Sequence, residues 1–70
     1  MVGNLPLRAW REQKALSQQE LAAKSGVGIA TIVRIERGEP TRPSTRRKLA
    51  EALGVSTEDL LAGPLVRQND

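Results

Sequence analysis

The apolar residues of this chain fall in short groups with helical spacing. Leu7 and Trp10 lie three apart, Ile32 and Ile35 lie three apart, and Leu49, Ala50 and Leu53 follow an i, i+1, i+4 pattern. Residues so spaced share one face of a helix and predict a buried stripe on each. Glycines, prolines and capping residues stand between the groups. Leu5-Pro6 opens a first helix that runs to about Lys14, because proline is tolerated in a first turn. Ser17 followed by Glu20 has the spacing of a capping box and starts a second helix, from Gln18 to Ser25. Within it Ala22 and Ala23 are small enough for another helix to pack close. Gly26-Val27-Gly28 ends that helix and caps a third, from about Ile29 to Arg37, which Gly38 stops.

Two prolines within Glu39-Pro40-Thr41-Arg42-Pro43 predict a loop, with Arg42 held extended by the proline after it. Ser44 or Thr45 is the expected cap of a fourth helix that runs to about Leu53, and Gly54 ends it. Ser56 or Thr57 then caps a short fifth helix with Glu58 and Asp59 in its first turn and Leu60 and Leu61 completing it. The expected organisation is an N-terminal extension over residues 1–4, one all-α domain over 5–62, and a tail over 63–70 that begins Gly63-Pro64.

A helix, a short glycine turn and a second helix is the helix-turn-helix plan. The residues around it extend the match: Leu16-Ser17-Gln18, Leu21-Ala22, Gly26, Ile32, Ile35-Glu36-Arg37-Gly38, then Arg46, Leu49-Ala50, Leu53-Gly54-Val55 and Leu60. On these residues the chain resembles the lambda-repressor/Cro-type (XRE-like) helix-turn-helix family. The resemblance implies a compact five-helix lambda-repressor-like DNA-binding domain, with the helix-turn-helix at helices 2 and 3.

Composition narrows the function. The 70 residues hold no cysteine and no histidine, which excludes disulfides and the usual zinc sites. A chain of this length makes one domain of modest stability. No apolar run approaches a membrane span and no signal-peptide core follows Met1, so the expected compartment is the cytoplasm. The one aromatic residue, Trp10, leaves no stacking platform for single-stranded bases, and it is read as core. Net charge is +3, but residues 34–48 hold six bases and two acids, a balance of +4, against −1 for the rest. A charge run is ordinarily a solvated face; beside a helix-turn-helix it is the footprint of a polyanion partner.

In the helix-turn-helix geometry the second helix of the motif enters the major groove and its first residues meet base edges. By the family match these are Gly28, Ile29, Ala30, Thr31 and, one turn on, Arg34. Arg34 can pair bidentately with guanine, contact a phosphate or remain solvated. Ile29 and Ala30 depart from the polar residues often found there and can touch thymine methyls or sense shape. Val33 is expected at the exposed surface. The resemblance places Gln18, Arg37, Thr41, Arg42, Ser44 and Arg46 on phosphates. The cations Arg46, Arg47 and Lys48 lie early in the fourth helix, where they oppose its dipole and a phosphate would explain them. Glu39 is a second departure, since many relatives carry lysine there; its side chain is expected to point away from DNA. The resemblance also implies an ion pair between Arg11 and Glu36 that ties the first helix to the reading helix. Its alternative is an exposed pair of little worth. Ala15 stands where relatives often have a helix-ending glycine.

Family members usually bind as two-fold dimers on half-sites one turn apart. A homodimer on double-stranded DNA is therefore expected, joined through Leu61, Leu65 and Val66. The competing reading is a protein-interaction module, such as an antitoxin that neutralises a toxin or an adaptor for the transcription machinery. Ile29, Ala30 and Val33 favour it and the basic segment opposes it. An enzyme is not expected: there is no phosphate-binding glycine loop, Ser17 and Ser56 serve as caps, and the carboxylates are scattered without a base or nucleophile beside them. No metal or cofactor is expected.

Overall fold

The computed structural model describes residues 5–64. Over them the chain forms five helices: α1 (Leu7–Gln13), α2 (Gln18–Ser25), α3 (Ile29–Glu36), α4 (Pro43–Leu53) and α5 (Thr57–Ala62). The expected all-α, five-helix arrangement is what the structure shows. The residues with helical spacing supply the core: Leu7, Leu21, Ile32, Leu49 and Leu60, one from each helix, are fully buried. Trp10, Ile35, Ala50 and Leu53 join them. Burying side chains of this size stabilises by about 1.5–3 kcal/mol each. Five short helices, each burying one stripe, thus share a single core that none could form alone. Helix α2 packs on both α3 and α4, α1 packs on α3, and α5 packs on α4. Among the described residues no helix is long and apolar enough to cross a membrane.

Local chemistry fixes the boundaries. Ser17 and Glu20 form the full capping box: the Glu20 amide donates to Ser17 Oγ at 3.0 Å and the Ser17 amide donates to the Glu20 carboxylate at 2.8 Å. Gly26 ends α2 at φ 78°, a left-handed conformation that an L side chain adopts only with strain. Ser56 caps α5 by accepting the Asp59 amide at 3.0 Å. Trp10 is core, as read, and its indole N–H donates to the Leu60 carbonyl at 3.1 Å, joining α1 to α5.

Two expectations need correction, and one open position is settled. The fourth helix is not capped by Ser44 or Thr45: Arg42 is the cap residue, extended at ψ 149°, and Pro43 occupies the first turn. Proline's fixed φ suits the first helical position, and its missing N–H is lost where no helical partner exists. Ser44 therefore lies inside the first turn, exposed. Val33 is half-buried rather than exposed. The segment between α1 and α2 turns without glycine, because Ala15 itself takes φ 57°. Bonds on either side hold it there: the Ala15 amide donates to Glu12 O and the Leu16 amide to Arg11 O, each at 3.0 Å.

Candidate nucleic-acid interface

The turn between α2 and α3 has three residues, and the middle one anchors it. Val27 is buried between two exposed glycines, and its amide donates to Ser25 Oγ at 3.1 Å. Gly28 is the cap of α3, with extended ψ of 144°, and its carbonyl accepts the amides of Thr31 and Ile32. Ile32 and Ile35 point inward, which turns the opposite side of α3 to solvent. Ala30 and, one turn further on, Arg34 are exposed there; Ile29, three residues before Ile32 on the flank of the buried stripe, is also exposed, and Thr31 is half-buried.

The orientation of α3 is secured by a cluster of polar side chains at its far end. Arg11 and Glu36 form the expected pair in bidentate geometry, Nε to Oε2 at 2.7 Å and Nη2 to Oε1 at 3.1 Å. The two side chains are only 14% and 7% exposed, so the pair is structural and not a solvated surface contact. Arg11 also donates from Nη1 to the Leu16 carbonyl at 2.9 Å, and Gln18 Nε2 donates to Glu36 Oε1 at 3.1 Å. The Glu36 carboxylate on α3 thereby joins α1 and α2, while Arg11 ties in the loop between them. The bond to Glu36 raises the Arg11 guanidinium above its already high ordinary pKa, against the lowering effect of burial.

Several residues that the sequence assigns to DNA line one shallow groove. Thr31 and Arg34 from α3 face Thr41, Arg42 and Thr45 from the loop and the start of α4, with Glu39 and Pro40 along the rim. Thr41 is half-buried, and its hydroxyl oxygen is buried without a hydrogen-bond partner. Arg37 is exposed and terminates α3. Gln18 is placed apart from this groove, half-buried against Glu36. Arg46 is half-buried and donates from Nη1 to the Thr41 carbonyl at 2.9 Å, so it braces the loop as well as carrying charge. Leu61 is 53% exposed on α5, while Leu65 and Val66 lie outside the described residues.

Glu39 lies beside the exposed Arg34. Its carboxylate lies 3.9 Å from Arg34 Nε, with both side chains 53% exposed. The Glu39 amide donates to the Arg34 carbonyl at 3.1 Å, after Gly38 turns the chain at φ 103°. That turn brings residue 39 back over the last turn of α3. Sequence reasoning also missed the bond from Gln18 to Glu36 and the one from Arg46 to Thr41. The single apolar residue between two glycines was the available signal for Val27 as a core anchor.

Comparison with known proteins agrees with this geometry. A family model described as Helix-turn-helix matches residues 7–60, from the first residue of α1 to the fourth of α5. The HTH-type transcriptional repressor RghR of Bacillus subtilis (strain 168) is 47% identical over 57 residues, 79% of this chain and 42% of that protein. An uncharacterized HTH-type transcriptional regulator of the same organism, RghRB, is 41% identical over 58 residues, 80% of this chain and 42% of that protein. The chain thus spans about two fifths of the length of the curated relatives it matches. No solved structure matches it significantly. With its capping box, three-residue turn, buried Ile32 and Ile35 and matched span, the chain belongs to the lambda-repressor/Cro-type helix-turn-helix family of DNA-binding regulators.

Proposed function

We propose that the chain is a sequence-specific reader of double-stranded DNA that regulates transcription by repression, binding a palindromic operator as a dimer. The observation that carries this reading is the exposed start of α3, held by the part-buried Arg11–Glu36 pair and bordered by a basic loop. The repressor name of one relative supports the direction of regulation. Helix α3 lies in the major groove with Ile29, Ala30, Thr31 and Arg34 toward base edges. Arg34 pairs with O6 and N7 of a guanine, a contact worth about 1–3 kcal/mol of discrimination. Gln18, Arg37, Thr41, Arg42, Ser44 and Arg46 meet phosphates, which fix register and carry no sequence information. Gln18 keeps a second amide hydrogen for this after its bond to Glu36. Leu61 with Leu65 and Val66 forms the contact between subunits.

Selection from random duplex DNA at about 0.15 M salt tests this reading, since screening there leaves mainly close contacts. The expected product is a palindrome with half-sites about 10 base pairs apart. Weak binding without a motif would instead favour the protein-interaction module, for which exposed Ile29 is the supporting observation.

A further inference from the structure

The loop that leads into α4 is gripped by one residue of that helix. Arg46 donates from Nη1 to the Thr41 carbonyl at 2.9 Å, and its own amide donates to the Arg42 carbonyl at 2.9 Å. A carbonyl lies in one rigid plane with the amide of the next residue. The two bonds therefore hold the peptide planes on both sides of Arg42, and with them its backbone at φ −71° and ψ 149°. The Thr41 side chain supplies no tether, for its hydroxyl is buried without a partner. Helix stability does not account for Arg46, because a cation so near the start of α4 opposes the dipole. Its neighbours Arg47 and Lys48 are exposed, whereas Arg46 is half-buried and bonded to the loop. Arg42 itself is exposed, on the wall of the groove that Thr31 and Arg34 share.

Resting on the DNA-binding function proposed above, we infer that Arg46 is a positioning residue for Arg42. It fixes the backbone from which the Arg42 side chain leaves, so that this guanidinium meets a phosphate without first ordering the loop. A long side chain on a loose loop loses much of such a contact to the entropy of ordering. The Arg46 fork keeps donors for a phosphate of its own after the one given to Thr41. The binding that Arg46 supports thus exceeds what its one charge supplies, and the excess acts through Arg42.

A double-mutant cycle on random duplex DNA tests this, because phosphate contacts are independent of sequence. Arg42→Ala is measured in the wild-type chain and in Arg46→Met, which keeps the stem and removes the fork and the charge. In the wild-type chain Arg42→Ala should weaken binding several-fold and reduce the salt slope by about one. In Arg46→Met the same change should cost at least about twofold less, with the slope nearly unmoved. The slope is the deciding readout. A residue that merely stabilised the fold would leave Arg42's share of it intact wherever the domain is folded. Thermal melts confirm folding, and Arg46→Ala, a good helix former, repeats the cycle should the methionine variant unfold. Equal losses in both backgrounds overturn the inference and leave the DNA-binding function standing. An Arg42→Ala chain that binds as tightly as wild type does the same. A wild-type chain with no salt-dependent binding to duplex overturns the function and the inference together.

Discussion

Arg34 is exposed over half of its side chain and shares that space with Glu39, 3.9 Å away. A pair this open adds little to stability, about 0–1 kcal/mol. Its effect falls on binding, because an acid beside the groove repels phosphates whatever their sequence. In Glu39→Gln, affinity should rise several-fold at low salt on specific and random duplex alike, leaving their ratio unchanged; filter-binding titrations on both duplexes measure it. In Arg34→Ala, the preference for the selected site over a site altered at guanine should collapse. An equal loss on all duplexes would place Arg34 on phosphate. The part-buried pair behaves differently. Glu36→Ala removes the carboxylate partner of Arg11 and should lower stability by roughly 1.5–3 kcal/mol in urea unfolding. Ala15 is the opposite case: it sits at φ 57°, where a methyl group is a burden, and Ala15→Gly should raise stability by about 0.5–1 kcal/mol.

At the scale of the helix, what could be read from the sequence was what a few neighbouring residues decide. The bounds of α2 were legible because Ser17, Glu20 and Gly26 act within one turn of their own positions. Ser17→Ala should therefore cost about 1 kcal/mol, seen as a shift of the urea midpoint with unchanged slope. The inward faces were legible from Ile32, Ile35, Leu49 and Leu53 for the same reason. The start of α4 was not. There two local signals competed, and proline's fixed φ at Pro43 prevailed over the capping ability of Ser44 and Thr45. Contacts between distant residues divided along the family resemblance. The Arg11–Glu36 pair was foreseen through it, whereas the Gln18–Glu36 bond across 18 residues carries no signal in spacing. The direction of Glu39 depends on how Gly38 turns the chain, a tertiary matter that composition cannot express.

The whole molecule has few groups that respond to ordinary changes of pH. It contains no histidine, cysteine or tyrosine, so no side chain ordinarily titrates between about pH 5.5 and 9. Arg11 is raised in the folded state, so the stability from that shift is whole below arginine's ordinary titration and is lost only in strong alkali. Urea midpoints and DNA affinity should therefore stay level between about pH 6 and 7.5; a step in either would point to a partner that titrates. The chain's one tryptophan, with no tyrosine or phenylalanine beside it, is Trp10. It is buried, with its indole tied to α5 through the Leu60 carbonyl. All intrinsic emission of this chain thus comes from one ring in the seam between α1 and α5. A variant that no longer binds DNA yet still emits toward the blue has lost a contact. One whose emission has moved to the red has lost its fold, so a single spectrum separates the two failures in every substitution above.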